Sequence, residues 1–278
     1  MLITGKTTLI AHLGYPTEAF KAPMIYNPYF EKAGIDAVVM PMGIQADTYP
    51  SFLRELFNVT NIRGALVTMP HKVTTVGLAD EVSPTAQIAG SANALLKRDD
   101  GTLLADMFDG EGFVRGARRK GCKLEAASAL VVGCGGVGSA IAASLAGAGV
   151  TRLGLFDANP ASADGLADRL TRHYPELRVG TGSTDPVGYD IVVNATPLGM
   201  NEGDPLPLDM SRVNPGTFVG EVVMKQAVTP FLRAAQERGC ETQVGTDMLF
   251  EQIPAYLEFF GFPTTTPDEL RATARVEY

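Results

Sequence analysis

Residues 129–157 read ALVVGCGGVGSAIAASLAGAGVTRLGLFD, and this stretch limits the fold more than any other part of the chain. An apolar strand, Ala129 to Val132, runs straight into Gly133, Gly135 and Gly138, spaced as G-x-G-x-x-G. Small residues (Ser139, Ala140, Ala142 and Ala143) open the helix that follows, and a second apolar run, LGLF, ends on Asp157. Each glycine answers a separate steric demand. The first permits a tight turn, the second lets backbone approach a pyrophosphate, and the third lets the helix pack close on the strand. The helix N-terminus then offers N–H groups and a positive dipole end to phosphate. A glycine-rich turn alone is weak evidence, because such turns also form for packing. Strand, turn, helix and terminal acid in that order are much more specific. The segment reads as a dinucleotide-binding turn, with Gly133, Gly135, Gly136, Val137 and Gly138 against the phosphates.

Asp157 lies about 20 residues beyond the turn, where a carboxylate accepts hydrogen bonds from ribose hydroxyls and repels a 2′-phosphate. No basic residue follows at Ala158 or Asn159. The expected cofactor is therefore NAD rather than NADP. An N-cap role for Asp157 in the DANP turn fits the same sequence.

Strand and helix patterns alternate along the rest of the chain, which implies an α/β fold with a doubly wound parallel sheet around the glycine turn. YDIVVNATPLGM (189–200) and GTFVGEVVM (216–224) supply later strands of that sheet. Ahead of it, DAVVMPMGI (36–44) reads as a strand, TYPSFLRELF (48–57) as a helix and GALVTM (64–69) as a buried strand. VTTVGLADEV (73–82) reads as a helix, and SANALLKRDDGTLLADMFD as a hairpin with DDG at its tip. Thr8 to His12 reads as a short edge strand. GKTT at the N-terminus resembles the end of a phosphate-binding loop but lacks its upstream glycine. The expected organisation is an N-terminal α/β substrate domain, 1–108, completed by a C-terminal helix, 246–278, around a Rossmann-like domain, 109–245.

A formal charge of −8 argues against a nucleic-acid partner, because phosphate binding needs clustered Lys and Arg. The short basic run Arg115, Arg118, Arg119 and Lys120 reads as a solvated helix face. No stretch approaches the ~20 apolar residues of a membrane span, and the N-terminus lacks the apolar core of a secretory signal. Cys122, Cys134 and Cys240 stand far apart, as do His12, His71 and His173, so no metal-ligand spacing is present. These features suit a cytoplasmic monomer or homodimer acting on a small molecule, with no membrane or nucleic-acid partner and no metal.

Lys72 follows VTMPH at the end of a buried strand, where a side chain can enter a cleft. Held beside a carboxylate, a lysine there can exchange a proton with a substrate hydroxyl during hydride transfer.

Six segments in order, GYPTEAFKAPMIYN (14–27), VTMPHK (67–72), GSANAL (90–95), FDGEGF (108–113), NATPLGM (194–200) and GTDMLFEQ (245–252), make the sequence resemble the shikimate dehydrogenase family over nearly its full length. The resemblance implies that Lys72 and Asp109 are the catalytic pair and that Thr68, Asn93 and Gln252 contact substrate. It places Thr196, Pro197, Met200 and Gly245 with the cofactor. The family's Ser-x-Ser pair, which holds the shikimate carboxylate, falls on Phe20 and Ala22. Asn-Thr before the catalytic aspartate has become Met107-Phe108, the tyrosine of a later loop is Met224, and an asparagine is Leu66. A carboxylate buried without donors is costly. The expectation is a branch that retains the catalytic pair and takes a less polar, cyclic substrate. An orthodox shikimate or quinate dehydrogenase and a non-catalytic NAD-binding regulator are the alternatives.

Overall fold

The computed structural model describes residues 2–18, 20–226 and 228–276. The chain divides into two compact units, one of residues 1–108 and 253–278, the other of residues 109–252. Among the described residues, two six-stranded sheets supply their frameworks.

The first unit runs β1 (Thr8–Gly14), α1 (Ala22–Ala33), β2 (Ala37–Gly43), α2 (Tyr49–Leu56), β3 (Ile62–Val67), α3 (Lys72–Val76), β4 (Glu81–Val82), α4 (Pro84–Ala89), β5 (Ala94–Lys97) and β6 (Leu103–Asp106). Its sheet has the order β2-β1-β3-β5-β6-β4. β1 is parallel to both β2 and β3, with His12 facing Pro41 on one side and Leu66 on the other. The edge position expected of Thr8 to His12 is therefore incorrect, since the strand is interior and extends to Gly14. Its apolar run is what an interior parallel strand, covered on both faces, requires. The hairpin forms as expected, β5 against β6, with Gly101 at φ 88° in its turn.

The helix expected over 73–82 stops at Val76. Gly77 caps it, and Asp80 then joins the sheet instead, its N–H donating to the Leu103 carbonyl at 3.0 Å and its carboxylate accepting the Leu103 N–H at 2.8 Å. β4 pairs with β6 immediately afterwards. Tertiary pairing has overridden local helical periodicity.

The second unit opens with α5 (Asp109–Arg119) and continues β7 (Ser128–Val132), α6 (Gly136–Gly147), β8 (Arg152–Phe156), α7 (Pro160–His173), β9 (Arg178–Thr181), β10 (Ile191–Asn194), β11 (Phe218–Glu221), α8 (Pro230–Glu237) and β12 (Glu241–Gln243). All its strands are parallel, in the order β12-β11-β10-β7-β8-β9. The direction of winding reverses between β7 and β10, the switch point where open α/β sheets bind ligands beyond their carboxyl ends. Leu130, Val132, Val192, Val219, Phe231 and Leu232 pack beneath it as one core, each such side chain contributing roughly 1.5–3 kcal/mol by leaving water. Within α5, a Cβ on Gly110 would meet the Ala140 carbonyl of α6, so glycine there permits close helix contact.

The last long helix, α9 (Gly245–Phe260), begins in the second unit and passes into the first at Ile253, inside the helix rather than at the expected residue 246. Within the first unit, Arg63 Nε donates to the Phe260 carbonyl at 2.9 Å and Tyr29 Oη to the Pro263 carbonyl at 2.9 Å. α10 (Pro267–Thr273) then buries Leu270. No helix among the described residues is long and apolar enough to cross a membrane.

Candidate active site

The turn after β7 has the geometry that its sequence demands. Gly133 adopts φ 102°, and a Cβ there would lie 2.7 Å from the Ala195 carbonyl carbon. A Cβ on Gly138 would collide with the carbonyl oxygen of Gly133. Gly135, by contrast, faces open space and is the N-cap of α6. The three glycines thus serve turn, open approach and close packing, in that order. Gly136 is exposed and Val137 half-buried at the start of the helix.

Asp157 directly follows β8, its carboxylate turned to this loop. Its Oδ2 accepts the Cys134 N–H at 2.7 Å and its Oδ1 the Asn159 N–H at 2.9 Å. The N-cap of α7 is Asn159, so the capping role open to Asp157 in the sequence is not the one it takes. Burial, then the charge of Asp157, pushes the Cys134 thiol up to about 12, which leaves it protonated and unsuited to nucleophilic work. These residues fit a dinucleotide: an open glycine, a helix N-terminus and an acid at the next strand's end.

The loop after β10, on the other side of the switch point, is built on Asn194. This fully buried side chain accepts from Thr196 N–H at 3.1 Å and Thr196 Oγ1 at 2.6 Å, and donates to the Leu198 carbonyl at 3.0 Å. Thr196 is half-buried, while Pro197 and Met200 are exposed. Glu221, at the end of β11, is buried beneath this loop, accepting from Thr229 Oγ1 at 2.9 Å and hydrogen-bonded to Asn194. Burial pushes its carboxyl up to about 7, against the opposing pull of those two bonds. The sequence reading missed Glu221; the signal was an acid inside the apolar run FVGEVV. Gly245 opens α9, where a Cβ would run into the Val223 carbonyl. Gln252, also in the second unit, is buried, and its Oε1 has no partner among the described residues. Asp109, the first residue of α5, is buried as well. The basic run is spent on acids: Arg115 on Glu111, Arg118 on Glu125, Arg119 on Glu251 and Lys120 on Asp247.

In the first unit, the strand end Thr68 and the start of α3 stand together with Asn93. Thr68 N–H donates to the Leu13 carbonyl at 2.9 Å, and Ala92 N–H to the Lys72 carbonyl at 2.9 Å. Asn93 is buried, its Oδ1 accepting the Phe108 N–H at 2.9 Å. Lys72 is half-buried at the first position of α3. Phe20 and Ala22 flank Lys21, the N-cap of α1. Met107 is 1% exposed, and Phe108 packs on Tyr256 with ring centroids 4.7 Å apart. These two residues are core, not the ligand-facing apolar surface that their substitution for Asn-Thr suggests.

One residue of this cluster was passed over in the sequence. His12 lies in β1 at 8% exposure, its ring stacked on Phe20 with centroids 4.0 Å apart. Burial, then the charge of Lys72, lowers its pKa to about 4. A polar side chain in the middle of LIAHLG was the available signal, and the absence of metal spacing hid it.

The chain is similar to known proteins along its length. A model of the shikimate dehydrogenase substrate binding domain matches residues 13–95, and one of the ThiF family matches residues 115–166. The shikimate dehydrogenase (NADP(+)) of Rubrobacter xylanophilus is 34% identical over 254 residues, covering 90% of this chain and 89% of the relative. That of Acidiphilium cryptum is 34% identical over 277 residues, covering 99% and 98%. The crystal structure of shikimate 5-dehydrogenase from Listeria monocytogenes in complex with shikimate and NAD superposes with a TM-score of 0.91 at 25% identity, covering 97% of each chain. With full-length relatives above 30% identity and the same fold throughout, the chain belongs to the shikimate dehydrogenase family of nicotinamide-dependent oxidoreductases.

Proposed function

We propose that this protein transfers hydride between a secondary alcohol on a small cyclic substrate and NAD, with Lys72 and Asp109 handling the hydroxyl proton. The observation that carries the reading is the pairing of an intact glycine turn and its acid, Asp157, with a substrate cluster in which Phe20 stands where a hydroxyl donor is expected. NAD, when bound, accepts or returns the hydride. Lys72 exchanges a proton with the substrate hydroxyl, and Asp109 holds and orients the lysine. Thr68, Asn93 and Gln252 position ring hydroxyls.

The carboxylate clamp is absent, since neither Phe20 nor Ala22 can donate a hydrogen bond from its side chain. The substrate is therefore a cyclic alcohol without a carboxylate at that end. The names of the relatives favour a second reading, an NADP-dependent oxidation of shikimate itself. An absorbance screen of cyclic alcohols and hydroxy acids with NAD and with NADP, run beside Lys72→Ala, decides between them. Turnover of uncharged cyclic alcohols with NAD, lost in Lys72→Ala, supports the first. Efficient turnover of shikimate with NADP supports the second and overturns the first.

A further inference from the structure

Glu221 is a buried acid of the second unit that the proposed chemistry does not use. It ends β11 directly opposite Asn194, which ends β10. A carboxyl taken out of water is costly, and the apolar run FVGEVV offers no local reason for one. What it ties together accounts for its place. Its Oε2 accepts from Thr229 Oγ1 at 2.9 Å, and the Asn194 side chain bonds to the same carboxyl. Asn194 Oδ1 already accepts from Thr196 N–H and Oγ1, so its Nδ2 gives the bond to Glu221 and also donates to the Leu198 carbonyl. Thr229 caps α8, accepting the Leu232 N–H at 3.3 Å, and a Cβ on Gly199 would lie 3.6 Å from the Thr229 Cβ. One carboxyl thus joins the end of β10, the start of α8 and the loop between Asn194 and Gly199.

That loop packs on the glycine turn. Ala195 N–H donates to the Val132 carbonyl at 2.7 Å, and a Cβ on Gly138 would lie 3.1 Å from the Ala195 Cβ. The strand order β10-β7-β8 assigns each loop its part of a dinucleotide. The pyrophosphate belongs to the turn after β7 and the adenosine ribose to the acid after β8, which leaves the loop after β10 to the nicotinamide half. We propose that Glu221 is a positioning residue for that half of the cofactor, acting through Asn194 and Thr229 to hold the loop 195–199 against the glycine turn. The inference rests on the proposed use of NAD, and Glu221 itself touches no ligand. A bonded, buried polar network fixes one arrangement of the segment it holds. A loop fixed before binding spares the cofactor the cost of ordering it.

NADH is compared with ADP, which carries the adenosine half and both phosphates but no nicotinamide. Dissociation constants for the full chain are measured by calorimetry at pH 8, above the value of about 7 to which burial pushes the Glu221 carboxyl. Glu221→Leu is expected to weaken NADH about tenfold, the scale of the two hydrogen bonds lost, while ADP stays within about twofold. Glu221→Gln keeps the shape and an acceptor oxygen, and is expected to hold NADH affinity within about threefold of the unmodified chain. In turnover, Glu221→Leu should raise the KM for NAD and leave that for the alcohol unchanged. If Glu221→Leu does not fold, Thr229→Ala, which removes one of the two donors, carries the same comparison, with NADH weakened about threefold and ADP not. Unchanged NADH affinity in the folded variant, or NADH and ADP weakened alike, overturns the inference. So does a Gln variant as weak as the Leu one, because charge rather than the tether would then matter. An unmodified chain that binds NADPH and not NADH overturns the proposed cofactor, and the same comparison with NADPH then decides the inference. The expected affinities without turnover of any alcohol support the inference and overturn the proposed chemistry.

Discussion

The Asp157 carboxylate accepts the backbone N–H of Cys134 at 2.7 Å, so the acid that follows β8 also fastens the middle of the glycine turn. Cofactor choice follows from that placement. NAD is expected to bind about tenfold tighter than NADP, because a 2′-phosphate would meet the Asp157 carboxylate and positions 158 and 159 are Ala and Asn rather than basic residues. Asp157→Ser with Ala158→Arg is expected to reverse the preference. Dissociation constants for both cofactors check this, and tighter NADP binding by the unmodified chain would refute it. Asp157→Ala should weaken both cofactors, since it also releases the turn.

The glycines of the turn separate folding from binding. Gly135→Ala places its methyl in open space, so the melting temperature should barely change while NAD affinity falls about tenfold or more. Gly138→Ala drives a Cβ into the Gly133 carbonyl, a backbone atom that cannot rotate away. It is expected to cost about 1–3 kcal/mol or more, the range for overpacking, and to lower the melting temperature visibly. Equal melting temperatures for the two variants would count against this division of labour.

Lys72→Ala is expected to lower kcat by roughly 10²- to 10⁴-fold, the span of general acid–base groups. NAD affinity should stay within about twofold, because the phosphate turn is in the other unit and offers its own contacts. Asp109→Ala should lower kcat similarly. Retained turnover in the folded Lys72 variant removes the lysine from the chemistry.

The second unit was legible because its physics is local. The glycine turn, the acid that follows β8 and the strand–helix alternation each act over a few residues, and β7, β8, β10 and β11 fall where the pattern put them. The first unit was less so. Its β1 reads alone as an edge and becomes interior only through pairing with β2 and β3, which are distant in sequence. The helix expected after Lys72 was cut short by a pairing with β6 that no window of neighbouring residues contains. Met107 and Phe108 followed the same rule. Their substitution was visible, but the aromatic neighbours that bury Phe108, Tyr256 and Phe259, come from the far end of the chain. Burial also decides His12 and Glu221, and burial is a property of the fold rather than of spacing.

Two buried groups give stability opposite slopes with pH. The folded pKa of His12, about 4, is below its ordinary 6.5, so between those values the unfolded chain binds a proton that the native chain does not. Its contribution is full above 6.5 and is lost as pH falls towards 4. Glu221 stands at about 7 against an ordinary 4.5, so the native chain keeps a proton that the unfolded chain has released. Its contribution is full below 4.5 and is lost as pH rises through 7. Thermal melts across this range should show His12→Val removing part of the acid-side loss and Glu221→Gln part of the fall towards 7. A slope between 4.5 and 7 unchanged by Glu221→Gln would show that the carboxyl titrates normally.

Shikimate kinetics test, at positions 20 and 22, the proposal that the catalytic pair persists while the carboxylate clamp does not. With Phe20 and Ala22 in place, each charge-assisted bond missing to the shikimate carboxylate should cost about 1–3 kcal/mol. The measurement is kcat/KM for shikimate oxidation by the unmodified chain and by the Phe20→Ser, Ala22→Ser double variant. Poor turnover at high KM is expected for the first and a gain of about tenfold or more for the second, mostly in KM. Efficient oxidation of shikimate at low KM by the unmodified chain, with no gain in the double variant, would contradict it.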